Sequence, residues 1–273
     1  MVKFSKALIT TAVALGISAS ASAMDIGYIT KSATNSGWIM INSGAADAAK
    51  EAGANLVTVG PAFQGDLSSQ LEVFENLVSQ GIDAIGVAPV DSSGIAPAVQ
   101  AAMDAGIPVV AIDTGVNGAD VTSFVATDNF AVATIQGQEA ANLVADGDKI
   151  IYVTGNQAQA GVEALLNRHD DVKMVVNAWD GGTMGAKAAL ENLGYSAGDV
   201  KLVGFDGAVD AIEAMDNGWV HVDTAQMLYQ MGYQGIKAAI AAANGQSVEA
   251  RIDTGTFLVT PETSAEYKAL IGM

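Results

Sequence analysis

An internal repeat constrains this chain more than any other feature. Ile85-Gly-Val-Ala-Pro-Val-Asp-Ser-Ser-Gly leads on to Ala102-Met-Asp-Ala-Gly106, and Met174-Val-Val-Asn-Ala-Trp-Asp-Gly-Gly leads on to Ala189-Leu-Glu-Asn-Leu-Gly194. Both read as strand, acidic Gly/Ser turn, Ala-rich helix and glycine stop. Each is followed by a strand that ends in acid and glycine, Ile112-Asp113-Thr114-Gly115 and Phe205-Asp206-Gly207. Any two βα units share a general plan. Matching turns and strand ends in the same order go further and indicate two related halves.

The rest of the chain keeps this alternation. Short β-rich runs at 25–30, 55–59, 84–88, 109–113, 123–126, 149–154, 172–176, 200–204, 221–224 and near 257–259 are separated by helical patterns. The helices fall at about 38–51, 66–80, 94–105, 130–145, 157–168, 183–193, 208–217 and 230–244. Near-continuous apolar strands between amphipathic helices predict parallel sheets covered on both faces, an α/β architecture. The halves are unequal. From Asp25 to Asp113 is 88 positions, whereas Lys149 to Asp206 is 57. The shortfall is about the ~30 residues of one βα unit, and it falls between Thr154 and Ala160. Loss of a central strand there would leave apolar sheet edges bare.

Residues 1–23 read as a processing signal. Lys3 and Lys6 precede the apolar run 7–17, and Ala21-Ser22-Ala23 supplies a small-residue cleavage site. The run is shorter than the ~20 residues a membrane span needs. Cleavage after Ala23 leaves 250 residues from Met24, with 10 basic and 30 acidic side chains and a net charge of −20. Without cysteine, a disulfide scaffold, a thiolate nucleophile, a Cys zinc site and an iron–sulfur cluster are excluded. So acidic a chain is repelled by phosphates, so no nucleic-acid partner is expected. A soluble, cysteine-free exported protein fits a bacterial periplasm.

The sequence carries none of the common catalytic motifs. No G-x-G-x-x-G follows a strand, and there is no P-loop, G-x-S-x-G or calcium loop. His169 and His221 lie 52 positions apart, outside any H-E-x-x-H, and read as structural. No metal or cofactor is expected. What remains sits at the carboxyl ends of strands, where open α/β sheets bind ligands. Asp113 and Asp206 occupy equivalent ends of the two halves. If the halves face each other, both carboxylates look into one cleft and suit a ligand rich in hydroxyl donors; the competing role is turn or cap duty. Lys31 and Asn35 follow the first strand and can donate to ligand oxygens. Trp38 and Trp179 offer flat faces to a sugar ring, or else pack in the core. Gln226 ends the His221 strand with both a donor and an acceptor.

From about Asp25 to Thr260 the chain resembles the periplasmic sugar-binding proteins of ABC importers, in the ribose, allose and galactose group. The resemblance is carried by Ile29-Thr-Lys-Ser-Ala-Thr-Asn-Ser-Gly-Trp38, Gly65-Asp-Leu-Ser-Ser-Gln-Leu-Glu-Val-Phe-Glu-Asn-Leu77 and Gln80-Gly-Ile-Asp-Ala-Ile85. Gly106-Ile-Pro-Val-Val-Ala-Ile-Asp-Thr114, Ala126-Thr-Asp-Asn129 and Val203-Gly-Phe-Asp-Gly207 continue it in order. The first two look most like the allose-binding branch. The resemblance implies two Rossmann-like lobes joined by three hinge crossovers, near 113–121, 225–231 and 250–253, closing on a monosaccharide. The expected lobes are 24–115 with 228–250, and 116–227 with 251–273. The implied function is non-catalytic capture of an aldose such as allose or ribose, by a monomer that hands it to a membrane permease, with a chemoreceptor as a further partner.

By the same resemblance Asp113, Asp206 and Gln226 match the sugar-gripping aspartates and the hinge glutamine, and Asn35 and Trp38 match the first turn. There are departures. The first turn reads Asn35-Ser36-Gly37-Trp38 in place of Asn-Pro-Phe-aromatic. Thr114 stands for the usual arginine, and Trp179-Asp180 for an Asn-Asp pair. The missing unit would hold the second-lobe arginine. Two readings follow: a binder with a trimmed second lobe, or a degenerate member with weak or altered binding. A secreted α/β enzyme lacks a constellation to support it, and a sugar-responsive repressor would need a helix-turn-helix where the export signal stands.

Overall fold

The computed structural model describes residues 23–61, 63, 65–155 and 157–273. The expected signal at 1–23 lies, but for Ala23, outside the described residues.

The chain enters a first lobe through β1 (Asp25–Ile29), α1 (Ser36–Ala52), β2 (Asn55–Val59), α2 (Leu67–Ser79), β3 (Ala84–Val87), α3 (Ala96–Asp104), β4 (Val109–Ile112) and β5 (Ser123–Ala126). It crosses to a second lobe of α4 (Asn129–Asn142), β6 (Lys149–Val153), α5 (Ala158–Leu166), β7 (Val172–Asn177), α6 (Asp180–Asn192), β8 (Lys201–Asp206), α7 (Val209–Asp216) and β9 (Val220–Gln226). It returns for α8 (Leu228–Ala243) and β10 (Arg251–Asp253), and ends in the second lobe with β11 (Thr256–Val259) and α9 (Ser264–Ile271).

The sheets run β10-β5-β4-β3-β1-β2 and β11-β9-β8-β7-β6. All pairings are parallel except β11 on β9. Central strands β3 and β4 are wholly buried, as apolar strands between two helical layers must be.

The expected lobe boundaries need correction. Ser123–Ala126 and Arg251–Asp253 complete the first sheet, where Ala111 is in register with Phe124 and Ile252 with Val125. The stretch 113–121, expected as the first crossover, is the β4–β5 connection within one lobe. The crossovers are therefore Ala126–Asn129, Gln226–Leu228 and Asp253–Thr256.

The missing unit is also placed differently. Aligning β6 with β1 makes β7, β8, β9 and β11 the counterparts of β3, β4, β5 and β10. Among the described residues, what has no counterpart is α1 and β2. Because β2 lies outside β1, the lost strand is an edge strand, so the sheet centre is intact. The α5 segment then carries β6 directly over to its parallel neighbour β7, a connection long enough for a crossover.

The loss shows in two matching side-chain pairs. Ile26 and Tyr28 on β1 are 0% exposed, under α1 and α8. Ile150 and Tyr152 on β6 follow the same I-x-Y pattern and are 52% and 60% exposed. Tyr28→Ala is expected to cost about 3–5 kcal/mol. Tyr152→Thr should stay within about 0.5 kcal/mol of the parent. Chemical denaturation of both variants measures the contrast.

Helices α1 and α8 cross at glycines. A Cβ on Gly44 would lie 2.0 Å from the Tyr229 carbonyl oxygen, and one on Gly232 would lie 1.8 Å from that of Ile41. On α4, Gly137 faces open space, because no counterpart of α1 packs there.

Candidate functional site

The two lobes face each other across a cavity of about 380 Å³. The first lobe lines it with Lys31, Asn35, Trp38 and Asp113, and the second with Trp179 and Asp206; Gln226 contributes from the second crossover. All seven residues singled out from the sequence thus share one cleft. Asn129, Thr154, Ala178 and Phe205 complete the walls. These four escaped the sequence reading. Asn129 closes the Ala126-Thr-Asp-Asn marker and Phe205 lies within Val203-Gly-Phe-Asp-Gly207, which were the available signals.

Asp113 and Asp206 are the only non-glycine residues with positive φ among the described residues, at 67° and 130°. Such backbone costs about 1–3 kcal/mol per residue and concentrates at functional sites. Here it ends β4 and β8 with a turn that aims each carboxylate inward, and Gly207 follows Asp206, itself at a φ of 76°.

In the first lobe, Lys31 Nζ donates to Asp113 Oδ2 at 2.7 Å and to Thr114 Oγ1 at 2.5 Å. It also lies 5.4 Å from the Trp38 ring centroid, a cation–π distance. The Thr114 hydroxyl donates to Asp113 Oδ2 at 2.7 Å. With Asp113 and Lys31 side chains only 19% and 17% exposed, the pair neutralises this wall while leaving Asp113 Oδ1 available. Asn35 has a double duty. Its Oδ1 caps α1 by accepting from Trp38 N at 3.3 Å, which leaves Nδ2–H as a donor. Trp38 belongs to the first-lobe core and also lines the cleft.

In the second lobe, Asp206 Oδ1 accepts from Gln226 Nε2 at 2.7 Å, and Oδ2 from the Asp180 backbone N–H at 3.3 Å. Burial, then the neighbouring Asp180 carboxylate, pushes the Asp206 carboxyl well above the usual range. Trp179 precedes α6 and lies over Gly181 and Gly182. A Cβ on Gly181 would come within 2.5 Å of the indole Nε1, and one on Gly182 within 3.0 Å of the ring. The glycine pair is what lets an indole occupy this position. Between the lobes, Ser36 Oγ donates to Asp210 Oδ1 at 2.8 Å.

His169 and His221 lie outside the cleft. His221 contacts Lys201 Nζ at 3.2 Å; burial, and then that charge, lowers its pKa. Another cavity, about 360 Å³ between α2 and α3, has mainly apolar walls such as Leu71, Phe74 and Val78. It lacks the convergent polar groups of the interlobe cleft.

The sequence matches the periplasmic binding protein domain over residues 26–160 and 154–247. The chain belongs to the periplasmic binding protein family. The two matched stretches overlap at 154–160, where the second lobe is short. The ribose import binding protein of Escherichia coli is 28% identical over 294 aligned positions, covering 94% of this chain and 98% of its own. Since 94% of 273 residues is about 257, some 37 of those positions face no residue here, consistent with one absent βα unit. The D-ribose/D-allose-binding protein of Pseudomonas aeruginosa is 29% identical, with 82% of this chain and 83% of its own covered. A solved ABC transporter solute-binding protein from Bacillus halodurans with bound myo-inositol superimposes with a TM-score of 0.82 at 26% identity, covering 90% of this chain and 97% of its own. Periplasmic binding proteins of this kind are substrate-binding components, and the two-lobed α/β architecture here is theirs.

Proposed function

We propose that this periplasmic binding protein captures a small neutral polyol, an aldose such as allose or ribose, for an ABC-type importer. The observation that carries the reading is the meeting of Asp113 and Asp206, from equivalent strand ends of two lobes, across one cleft. Carboxyl groups from both lobes offer hydrogen-bond acceptor oxygens, so together they select hydroxyl donors. Lys31 compensates one of them, which fits a ligand without charge. Asn35 and Gln226 bind ring or hydroxyl oxygens. Trp38 and Trp179 contribute apolar faces for the C–H side of a sugar ring. Named relatives that bind ribose, allose or myo-inositol share this polyol chemistry.

The protein performs no bond-making chemistry in this reading. It needs no cofactor, binds as a monomer and closes by hinge motion at the three crossovers, with the Ser36–Asp210 hydrogen bond formed across the closed lobes. Export through the cleaved segment 1–23 places it in the periplasm, where the closed form meets the membrane permease and, as a further partner, a chemoreceptor.

Calorimetric titration of the exported form, starting at Met24, with D-ribose, D-allose and myo-inositol tests the reading. Saturable one-to-one binding of at least one is expected. A folded protein that binds none of the three overturns it.

A further inference from the structure

Behind the ligand aspartate lies a second pair of carboxylates. Asp180, at the start of α6, and Asp223, within β9, are buried, at 2% and 0% exposure. Asp180 Oδ1 accepts from Phe205 N at 3.2 Å and Oδ2 from Ala208 N at 2.8 Å. Asp223 Oδ1 accepts from Gly207 N at 3.0 Å. The two side chains therefore hold three backbone N–H groups that flank Asp206. They are positioning residues for the carboxylate that grips the ligand.

Asp223 Oδ2 is buried and receives no N–H or O–H donor. What it faces is the carboxylate of Asp180, with which it is in side-chain contact. Both groups crowd Gly204: a Cβ there would lie 2.3 Å from Asp223 Oδ2 and 2.8 Å from Asp180 Oδ1. No ion pair reaches either carboxylate among the described residues. The other titratable groups facing the pair carry no positive charge. They are Asp206 on β8, Asp210 on α7 and Tyr267 on α9, whose hydroxyl donates to Gly207 O at 2.9 Å. From α4, neutral Gln136 donates to the Gly204 carbonyl oxygen at 2.9 Å. An orphaned carboxylate oxygen against a second carboxylate, with no cation near, is satisfied by a proton held between them.

We propose that Asp180 and Asp223 share one proton, and that this proton locks the turn that aims Asp206, making ligand capture weaken as pH rises. The consequence for binding rests on the polyol reading above; the shared proton does not. Burial first, and then carboxylate proximity, raises Asp180 far above the ordinary carboxylate range, and burial raises Asp223 to about 7. The native pair therefore keeps a proton that the unfolded chain releases near pH 4. Stability falls as pH rises above about 4, for as long as the native pair holds a proton that the unfolded chain has released. Removing the proton leaves two buried like charges in contact, which loosens the 204–208 turn.

The test has three arms on the purified chain. Infrared spectroscopy at pH 6 should show the carbonyl band of a protonated carboxylic acid, which Asp223→Asn removes. An asparagine there keeps the Gly207 contact and donates its own N–H to Asp180, so it imitates the protonated state at every pH. The thermal midpoint of the ligand-free protein should fall from pH 5 to 8 more steeply than that of Asp223→Asn. The D-allose affinity should drop as rising pH strips the shared proton, by up to tenfold per pH unit for one linked proton, and stay flatter in the variant. Absence of the carbonyl band in the parent, or identical pH profiles in parent and variant, overturns the proposal. If D-ribose, D-allose and myo-inositol all fail to bind, the polyol reading falls, and the infrared and thermal arms judge the shared proton by themselves. If Asp223→Asn does not fold, Asp180→Asn and the infrared spectrum of the parent decide.

Discussion

Asp113→Ala is expected to abolish polyol binding. Two ligand hydroxyls donating to an ionised, mostly buried carboxylate contribute about 1.5–3 kcal/mol each, so their loss weakens binding by about two to four orders of magnitude. The variant also removes the partner of Lys31. Its Nζ keeps Thr114 Oγ1 and the Trp38 face, so an uncompensated cation is left in the cleft, where a neutral ligand gains nothing from it. Stability should change by no more than about 1–3 kcal/mol, because the substitution keeps the unfavourable φ of 67° while losing one partly exposed ion pair. Asp113→Asn is the informative companion. Asparagine tolerates the left-handed region better than alanine and keeps one acceptor oxygen, so it should retain a weak, measurable affinity. Calorimetry on variants whose circular dichroism matches the parent checks both. Unchanged affinity in Asp113→Ala would falsify the site assignment.

The largest expected effect on stability is that of Gly232→Val. The new Cβ would lie 1.8 Å from the Ile41 carbonyl oxygen and 3.0 Å from the Ala45 amide nitrogen. These are backbone atoms of α1, so no rotamer change relieves the overlap, and α1 and α8 must move apart. Separation uncovers Ile41, Ala45 and Met231, all buried in the first-lobe core. Overpacking alone costs about 1–3 kcal/mol, and the exposed core adds to it. A loss above about 3 kcal/mol is expected, a large share of the ~5–15 kcal/mol that holds a typical domain. Gly137 on α4 provides the control. Nothing lies within 4 Å of its Cβ position, so Gly137→Ala should be neutral or stabilising by up to about 1 kcal/mol through helix propensity. Urea unfolding of the two variants compares a glycine required by a helix crossing with one that is not.

Much of the site is legible in the sequence because its signals are local. Asp113 and Asp206 end apolar strands and precede glycine-containing turns, and such strand ends point to the ligand face of a parallel sheet. The repeat adds that two such ends come from two halves. Lys31, Asn35 and Trp38 follow within ten residues of the first strand. Contributions from elsewhere leave no such mark. Thr154 and Ala178 are ordinary strand exits, and only the closing of one lobe on the other makes them walls of the cleft. Asp180 shows the same limit. Beside Trp179 it passes for half of a ligand pair, whereas its carboxylate turns inward to the backbone around Asp206.

The chain's own letters determine an alternating α/β order, two related halves, a second half one unit short, and polar strand ends suited to hydroxyl ligands. Periodicity, turn residues and repeat spacing act over a few residues, so they can be read in one dimension. Only the tertiary structure decided that Ser123–Ala126 and Arg251–Asp253 complete the first sheet, and that the lost strand is at an edge. It likewise brought Asp223 against Asp180, 43 positions away in sequence. Those outcomes depend on hydrogen-bond register and packing between segments far apart in the chain, and no local pattern encodes which distant edge a strand will join.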